Sequence, residues 1–324
     1  MPSHPANTLT LVADVGGTNT RVALADGTRV LAQSVRKYAN ADHSDLQSVI
    51  RAYIADEGGV DCLGACVAIA GPVMDGVGKM TNLDWTFDRD SLRAATGAEH
   101  VSILNDLQAQ GHAIGYLSED KLRVIIDGPS GKEHAAKLVI GVGTGFNAAP
   151  VFDTEAGRFV APSECGHTAL PVGSERLNRL AAFIAAEHGF ASVEEVLSGR
   201  GMENIYRWVS TEAGTPAKLA AADIGAAAKS GDPLAVITLE TFAQVLGAVA
   251  GDLALTQLPY GGVYLIGGVA RAITPWLQGD NFAKPFQDKG RFSTFMRDFG
   301  VKIVEDDFAA LVGCASHIAH KTHG

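Results

Sequence analysis

Apolar residues along this chain recur with two periods, and the alternation between them lays out the fold. Short apolar runs at residues 9–15, 21–24 and 30–35, joined by a Gly-Gly-Thr turn and by Asp26-Gly27, predict three strands in an antiparallel meander. Residues 44–55 change to the helical period, with Asp45 near the start and Leu46, Ile50, Tyr53 and Ile54 on one face. The apolar run at 63–69, closed by Ala70-Gly71-Pro72, reads as a buried strand. A short strand at 101–104 delivers Asn105-Asp106 at its C-terminal end and leads into a helix from Leu107. In open α/β sheets, ligands gather at that end of the strands.

The second half restates the opening. Residues 138–142, a Gly-Thr-Gly turn and residues 148–152 repeat the strand-turn-strand pattern of 9–24, an internal duplication. From 173 to 258 the pattern is helical, and its longest stretch, 233–258, carries Phe242, Val245, Leu246, Val249 and Leu253 as a core stripe. Strands at 263–266 and 301–304 and a helix at 308–320 follow.

Three glycine-rich turns follow apolar strands: Asp14-Val15-Gly16-Gly17-Thr18, Gly141-Val142-Gly143-Thr144-Gly145, and Gly267-Gly268. Such turns bring backbone N–H groups up to phosphate oxygens with no Cβ in the way, which points to a nucleotide held at several points. Each alone reads equally well as an ordinary turn. An acidic group beside a phosphate loop holds Mg²⁺ through water, and Asp14 is placed for that. No Gly-Lys-Ser or Gly-Lys-Thr follows any of the three, so the P-loop pattern is absent.

Composition narrows the partners. At 324 residues the chain exceeds one ordinary core, so two domains with a cleft between them are expected. A net charge of −10 disfavours nucleic acid and anionic membrane surfaces. Cys62, Cys66, Cys165 and Cys314 form no disulfide framework, and the first two read as small buried hydrophobes. The N-terminal residues lack the features of a signal peptide, and no apolar run approaches the roughly 20 residues of a membrane helix. A cytoplasmic protein is expected.

Taken together, the motifs resemble the bacterial glucokinases of the hexokinase type, in the actin-like, ribonuclease-H-like kinase superfamily. The resemblance spans the chain. It is carried by residues 13–21, Thr81-Asn82-Leu83-Asp84-Trp85, Leu104-Asn105-Asp106, Gly143-Thr144-Gly145, Glu164-Cys165-Gly166-His167, Glu194-Glu195-Val196-Leu197-Ser198-Gly199, Gly267-Gly268 and Asp288-Lys289-Gly290-Arg291-Phe292. It implies an α/β, two-domain ribonuclease-H-like (actin/hexokinase-like) fold, a small domain of roughly 1–115 with 308–324 and a large one of 116–307, with the active site in the interdomain cleft. It further implies transfer of the ATP γ-phosphoryl group to the 6-hydroxyl of glucose, the first step of glycolytic glucose use.

Under this resemblance Asp106 is the catalytic base, with a helix N-cap as its plainer alternative. Asn105, Asp106, Glu164, His167 and Glu194 bind the sugar. Ala13, Asp14, Val15, Gly16, Gly17, Thr18, Gly143, Thr144, Gly145, Gly267 and Gly268 bind ATP, with Mg²⁺ at Asp14. Four positions depart from the family pattern: Phe146-Asn147 stands where relatives carry Leu-Gly in Gly-Thr-Gly-Leu-Gly, and Ser163 and Cys165 replace the glycines flanking Glu164. The cysteine cluster of the zinc-containing relatives is missing after His167, so no structural zinc is expected. The alternatives are a kinase for another hexose or an N-acyl amino sugar, and a non-catalytic sugar-sensing regulator. The latter needs a DNA-binding segment, for which the residues before Leu9 are too few. A homodimer is the preferred oligomer.

Overall fold

Strand Leu9–Val15 is buried on both faces, and the alternation of its side chains shows what covers each. Leu11, Ala13 and Val15 pack with Leu46, Ile50 and Tyr53 of helix Leu46–Asp56. Val12 packs the other way, with Cys66, Leu104 and with Leu311, Cys314 and Ile318 of helix Ala309–Thr322. The strand pairs antiparallel with Asn19–Asp26 and parallel with Cys62–Ile69, which pairs parallel with His100–Asn105. In this computed structural model residues 6–80, 83–129, 131, 134–155 and 157–322 are described. Thr81 and Asn82 of the 81–85 motif therefore lie outside the described residues.

The chain divides into two units, one of Met1–Glu119, Glu155–Val160 and Asp306–Gly324, the other of Asp120–Thr154 and Ala161–Glu305. In the first, the expected strand at 30–35 is corrected. Only Arg29–Val30 pairs, and Ala32–Ser34 turns into a short 3-10 helix. The cause is Ser34, buried, whose hydroxyl oxygen accepts the Leu24 N–H at 2.9 Å. Strand Arg36–Ala39, unforeseen because its residues are largely exposed, takes over the edge by pairing with Asn19–Val22. A small sheet of Val73–Met74, Val77–Lys79 and Thr86–Asp88 was also unforeseen; its strands are too short to show a period. Helix Leu46–Asp56 starts as its sequence predicts, with Asp45 accepting the Ser48 N–H at 2.7 Å.

The second unit repeats this topology. Lys137–Val142 pairs antiparallel with Phe146–Thr154 and parallel with Val263–Ile266, which pairs parallel with Val301–Val304. The duplication thus extends from one hairpin to a hairpin followed by two parallel strands. Leu122–Ile126, missed in the sequence, adds an antiparallel edge to Val301–Val304.

Helix Pro233–Gln257 runs through this unit's core, started by Asp232 and by Pro233 in the first turn and stopped at Leu258 in left-handed backbone. It is long and apolar enough to cross a membrane, contrary to the sequence reading, but 67% of its most apolar window is buried inside the protein, as in a core helix. Lys289 of the 288–292 motif is structural: its Nζ donates to Ala248 O at 2.9 Å and Asp252 at 2.6 Å on this helix. Gly251 leaves room for that arm, since a Cβ there would meet Lys289 Cε at 2.6 Å.

Candidate active site

In the first unit, Asp14 and Asp106 are set at one edge of the sheet. Asp14 lies opposite Ala68 on Cys62–Ile69, whose Ile69 lies opposite Asn105 at the end of the next parallel strand. Arg21, Asp14's cross-strand partner, approaches its carboxylate at 3.6 Å. Burial nonetheless raises the Asp14 pKa, against the lowering pull of Arg21. Asp106 is open to water at the strand end, as a base must be, yet enough chain crowds its carboxyl that desolvation pushes it up to about 6. The Leu107 N–H, donated to Asp106 Oδ1 at 2.8 Å, pulls the other way, and the charge of Asp14 adds to the rise.

The plainer reading of Asp106 as N-cap is corrected: the cap is Asn105, and Asp106 is the first residue of helix Asp106–Ala113. Asn105 Oδ1 accepts the Leu107 N–H at 2.9 Å and its Nδ2 donates to Gly71 O at 3.0 Å. Gln108 completes the capping box on the Asn105 N–H. These bonds fix where the strand ends and so where Asp106 stands.

Between Asp14 and the next strand, the turn is held from beneath by Asn40, which the sequence reading overlooked. Its Nδ2 donates to Gly16 O at 2.8 Å, its Oδ1 accepts from Thr20 Oγ1 at 2.8 Å, and its N–H donates to Thr18 O at 2.9 Å. Gly16 is needed for closeness, because a Cβ there would sit 3.3 Å from Asn19 O. Ala13 and Val15 are fully buried, so only their backbone can face a nucleotide. Thr18 is exposed.

In the second unit the structure brings together two glycine turns and three of the sugar candidates. Gly267, with φ of 104°, nests where a Cβ would strike Val142 O at 2.3 Å, beside the start of the Gly143–Gly145 turn. Rather than joining two strands, Gly267-Gly268 leads from Val263–Ile266 into the short helix Gly268–Ala272. The Gly143 carbonyl accepts the Gly199 N–H at 2.9 Å, at the start of helix Gly199–Glu212. The Glu194 carboxylate sits on the turn itself, with Oε2 accepting the Phe146 N–H at 2.9 Å and lying 2.6 Å from where a Cβ on Gly145 would be.

Glu164 precedes the 3-10 turn Cys165–His167 and His167 ends it, both exposed, and the Glu194 N–H donates to Gly166 O at 2.8 Å. Gly166 packs so closely that a Cβ would lie 2.0 Å from Phe146 O. Arg200, also overlooked, pairs with Glu195 at 2.7 Å and approaches Glu194 at 3.7 Å. Asn204 and His188 also hold Glu195, at 3.3 and 3.5 Å, which leaves Glu194 the more lightly engaged of the two carboxylates.

With this geometry the chain matches the glucokinase family model over residues 11–321. The chain belongs to the glucokinase family. The glucokinase of Chromohalobacter salexigens is 33% identical over 94% of this chain and 95% of its own length. That of Stenotrophomonas maltophilia is 35% identical, with 95% and 94% covered. A crystal structure of glucokinase from an Antarctic psychrotroph superposes with a TM-score of 0.88 at 32% identity, covering 96% of this chain and 98% of that one. A ROK hexokinase from Thermus thermophilus, 20% identical with a TM-score of 0.67, shares the fold. This glucokinase thus has the two-domain, actin/hexokinase-like α/β fold that its motifs imply.

Among the described residues, no group of three or more His, Cys, Asp or Glu is arranged to hold a metal. Asp14 is a hard oxygen donor whose raised pKa a nearby cation would relieve.

Proposed function

We infer that this glucokinase transfers the γ-phosphoryl group of ATP to the 6-hydroxyl of glucose, with Asp106 as the base that takes the hydroxyl proton. The observation that carries the assignment is the Asp106 carboxyl, held at a parallel strand end by its own helix N-terminus, open to water and tuned to about 6. A sugar alcohol is a poor nucleophile, and a base of that pKa is charged at neutral pH while remaining a competent proton acceptor. Phosphoryl transfer otherwise asks mainly for positioning and charge stabilisation. Backbone amides of Gly17-Thr18, Thr144-Gly145 and Gly267-Gly268 supply donors for the phosphates, while those of Gly16 and Gly143 brace their own turns by donating to Asn19 O at 3.0 Å and Gly145 O at 2.9 Å. Mg²⁺, held at Asp14 through water, would neutralise charge on the phosphates when bound.

Asn105, Glu164, His167 and Glu194 are assigned to the sugar hydroxyls. Glucose hydroxyls each donate and accept, so carboxylates, an amide and an imidazole pair them, and a sugar lacking one leaves a polar group unmatched. Glu164→Gln and Glu194→Gln are expected to raise the calorimetric Kd for glucose about ten-fold or more while changing that for ATP less than two-fold, the size of a lost charge-assisted bond. Unchanged glucose binding in both variants would remove the sugar site from this loop pair.

Cys165, between Glu164 and His167, offers a chemical probe of the same assignment. Burial pushes its thiol above the ordinary value while the Ser163 hydroxyl pulls it back. Cys62 is pushed up to about 12 and Cys314 is raised by complete burial, and both, with Cys66, are buried. An alkylating reagent is therefore expected to label Cys165 first, faster as pH rises, and to inactivate the enzyme. Saturating glucose should slow that labelling, read by mass spectrometry at each cysteine. Equal Cys165 rates with glucose demonstrably bound would contradict the placement of the sugar.

A further inference from the structure

The three positions that depart from the family's glycines, 147, 163 and 165, are bonded to one another. Asn147, second residue of strand Phe146–Thr154, directs its side chain at both neighbours of Glu164. Its Oδ1 accepts the Cys165 N–H at 3.2 Å, the Ser163 hydroxyl at 3.3 Å and the Cys165 thiol at 3.5 Å, besides the Ala148 N–H at 2.8 Å. Its Nδ2 donates to Ser163 O. Ser163 Oγ in turn accepts the Cys165 N–H at 3.1 Å. With glycine at all three positions none of these side-chain bonds could form.

Glu164 stands between the two anchored residues with an exposed side chain and a backbone at φ −130°, ψ 45°, neither helical nor extended. We propose that Asn147 is a positioning residue for glucose binding: its side-chain amide clamps the turn on both sides of Glu164 and so presents that carboxylate from a preformed backbone. The bonds of the Asn147 side chain go to Ala148, Ser163 and Cys165, not to the Gly143–Gly145 turn. The clamp therefore acts on sugar affinity rather than on nucleotide affinity or the chemical step. The physical gain is preorganisation, since a loop already ordered in the free enzyme loses less freedom when the ligand binds. This inference rests on the assignment of Glu164 to the sugar.

The test is a double-mutant cycle on glucose Kd, measured by calorimetry on the full chain, with steady-state kinetics beside it. Asn147→Ala is expected to raise Kd and KM for glucose about ten-fold, as for one or two ordering bonds lost, with KM for ATP and kcat within about two-fold. Glu164→Ala raises glucose Kd by itself. In the Glu164→Ala background the further change to alanine at 147 is expected to cost less than two-fold, because no carboxylate remains to be positioned.

Full multiplication of the two effects would overturn the positioning role while leaving Glu164 as a sugar ligand. Unchanged glucose binding in Glu164→Ala would overturn the assignment of Glu164, and the inference with it. Should Asn147→Ala fail to fold, Asn147→Asp carries the test, because it keeps an oxygen for the Cys165 and Ala148 N–H groups and turns the bond to Ser163 O into a repulsion between two oxygens. A glucose-specific loss there supports the clamp, and wild-type affinity, or equal losses for glucose and ATP, overturns it.

Discussion

Asp106→Asn is expected to lower kcat by a factor of about 10² to 10⁴, the range for a lost general base, with Kd for ATP and the thermal midpoint little changed. Asn retains an oxygen for the Leu107 N–H, so the helix start survives and the loss reports chemistry rather than folding. The pH profile supplies a second reading of the same residue. Desolvation has moved the carboxyl up to about 6, and a base works only when deprotonated. Activity should therefore be full above that pH and fall with one proton as pH drops through it. In Asp106→Asn the residual rate should lose that acid limb. Near wild-type turnover, or an acid limb that persists unchanged in the variant, would place the proton acceptor elsewhere.

Gly313→Ala is expected to be the most damaging single methyl in the first unit. Helix Ala309–Thr322 lies against helix Asp106–Ala113 so closely that a Cβ on Gly313 would be 1.7 Å from Ala109 O and 2.6 Å from its carbonyl carbon. Backbone cannot give way as a side-chain tip can, so the helices must separate. The same interface holds the His112–His317 pair, ring nitrogens 3.1 Å apart, with His317 kept neutral by burial, its pKa pushed down to about 3. Separation would pull apart this contact along with the apolar one. We expect a loss of about 3 kcal/mol or more in urea unfolding, at the upper end for overpacking. Because Asp106 starts the displaced helix, kcat should fall even under conditions where the variant stays folded. A change below about 1 kcal/mol would mean that the two helices slide without cost.

Much of this was legible in the sequence wherever one period persisted. Strands Val263–Ile266 and Val301–Val304, apolar but for Lys302, are bounded by turn residues, so their ends coincide with the expected ones. Helix Pro233–Gln257 carries its start and its stripe in plain view. The 30–35 strand failed because a single hydroxyl, on Ser34, replaces a ladder bond, an event with no periodic trace. Leu122–Ile126 failed because four of its five residues face solvent or lie half-exposed at an edge, where patterning relaxes. The candidate site divides the same way. Glycines announce themselves, and Gly145, Gly166 and Gly267 each stand where a Cβ would collide. Asn40, Asn147 and Arg200 do not, since a polar residue that serves a loop remote in sequence looks like any other surface residue until the loop is in place.

The docking of helix Ala309–Thr322 beneath the Asp14 strand also has a temporal side. Leu311, Cys314 and Ile318 complete the core that Val12, Ala23, Cys66 and Leu104 begin, and Cys314 Sγ reaches Ala13 O at 3.7 Å. The ribosome makes those three residues only after the entire second unit, some three hundred codons behind Val12. A nascent chain can thus bury the second unit's sheet while one face of the first sheet, including the backing of Ala13 beside Asp14, is still bare. Domains otherwise tend to fold in the order in which they are synthesised. Here that order is reversed by connectivity, and the strand ends that carry Asp14 and Asp106 are backed only by a helix translated after the second unit.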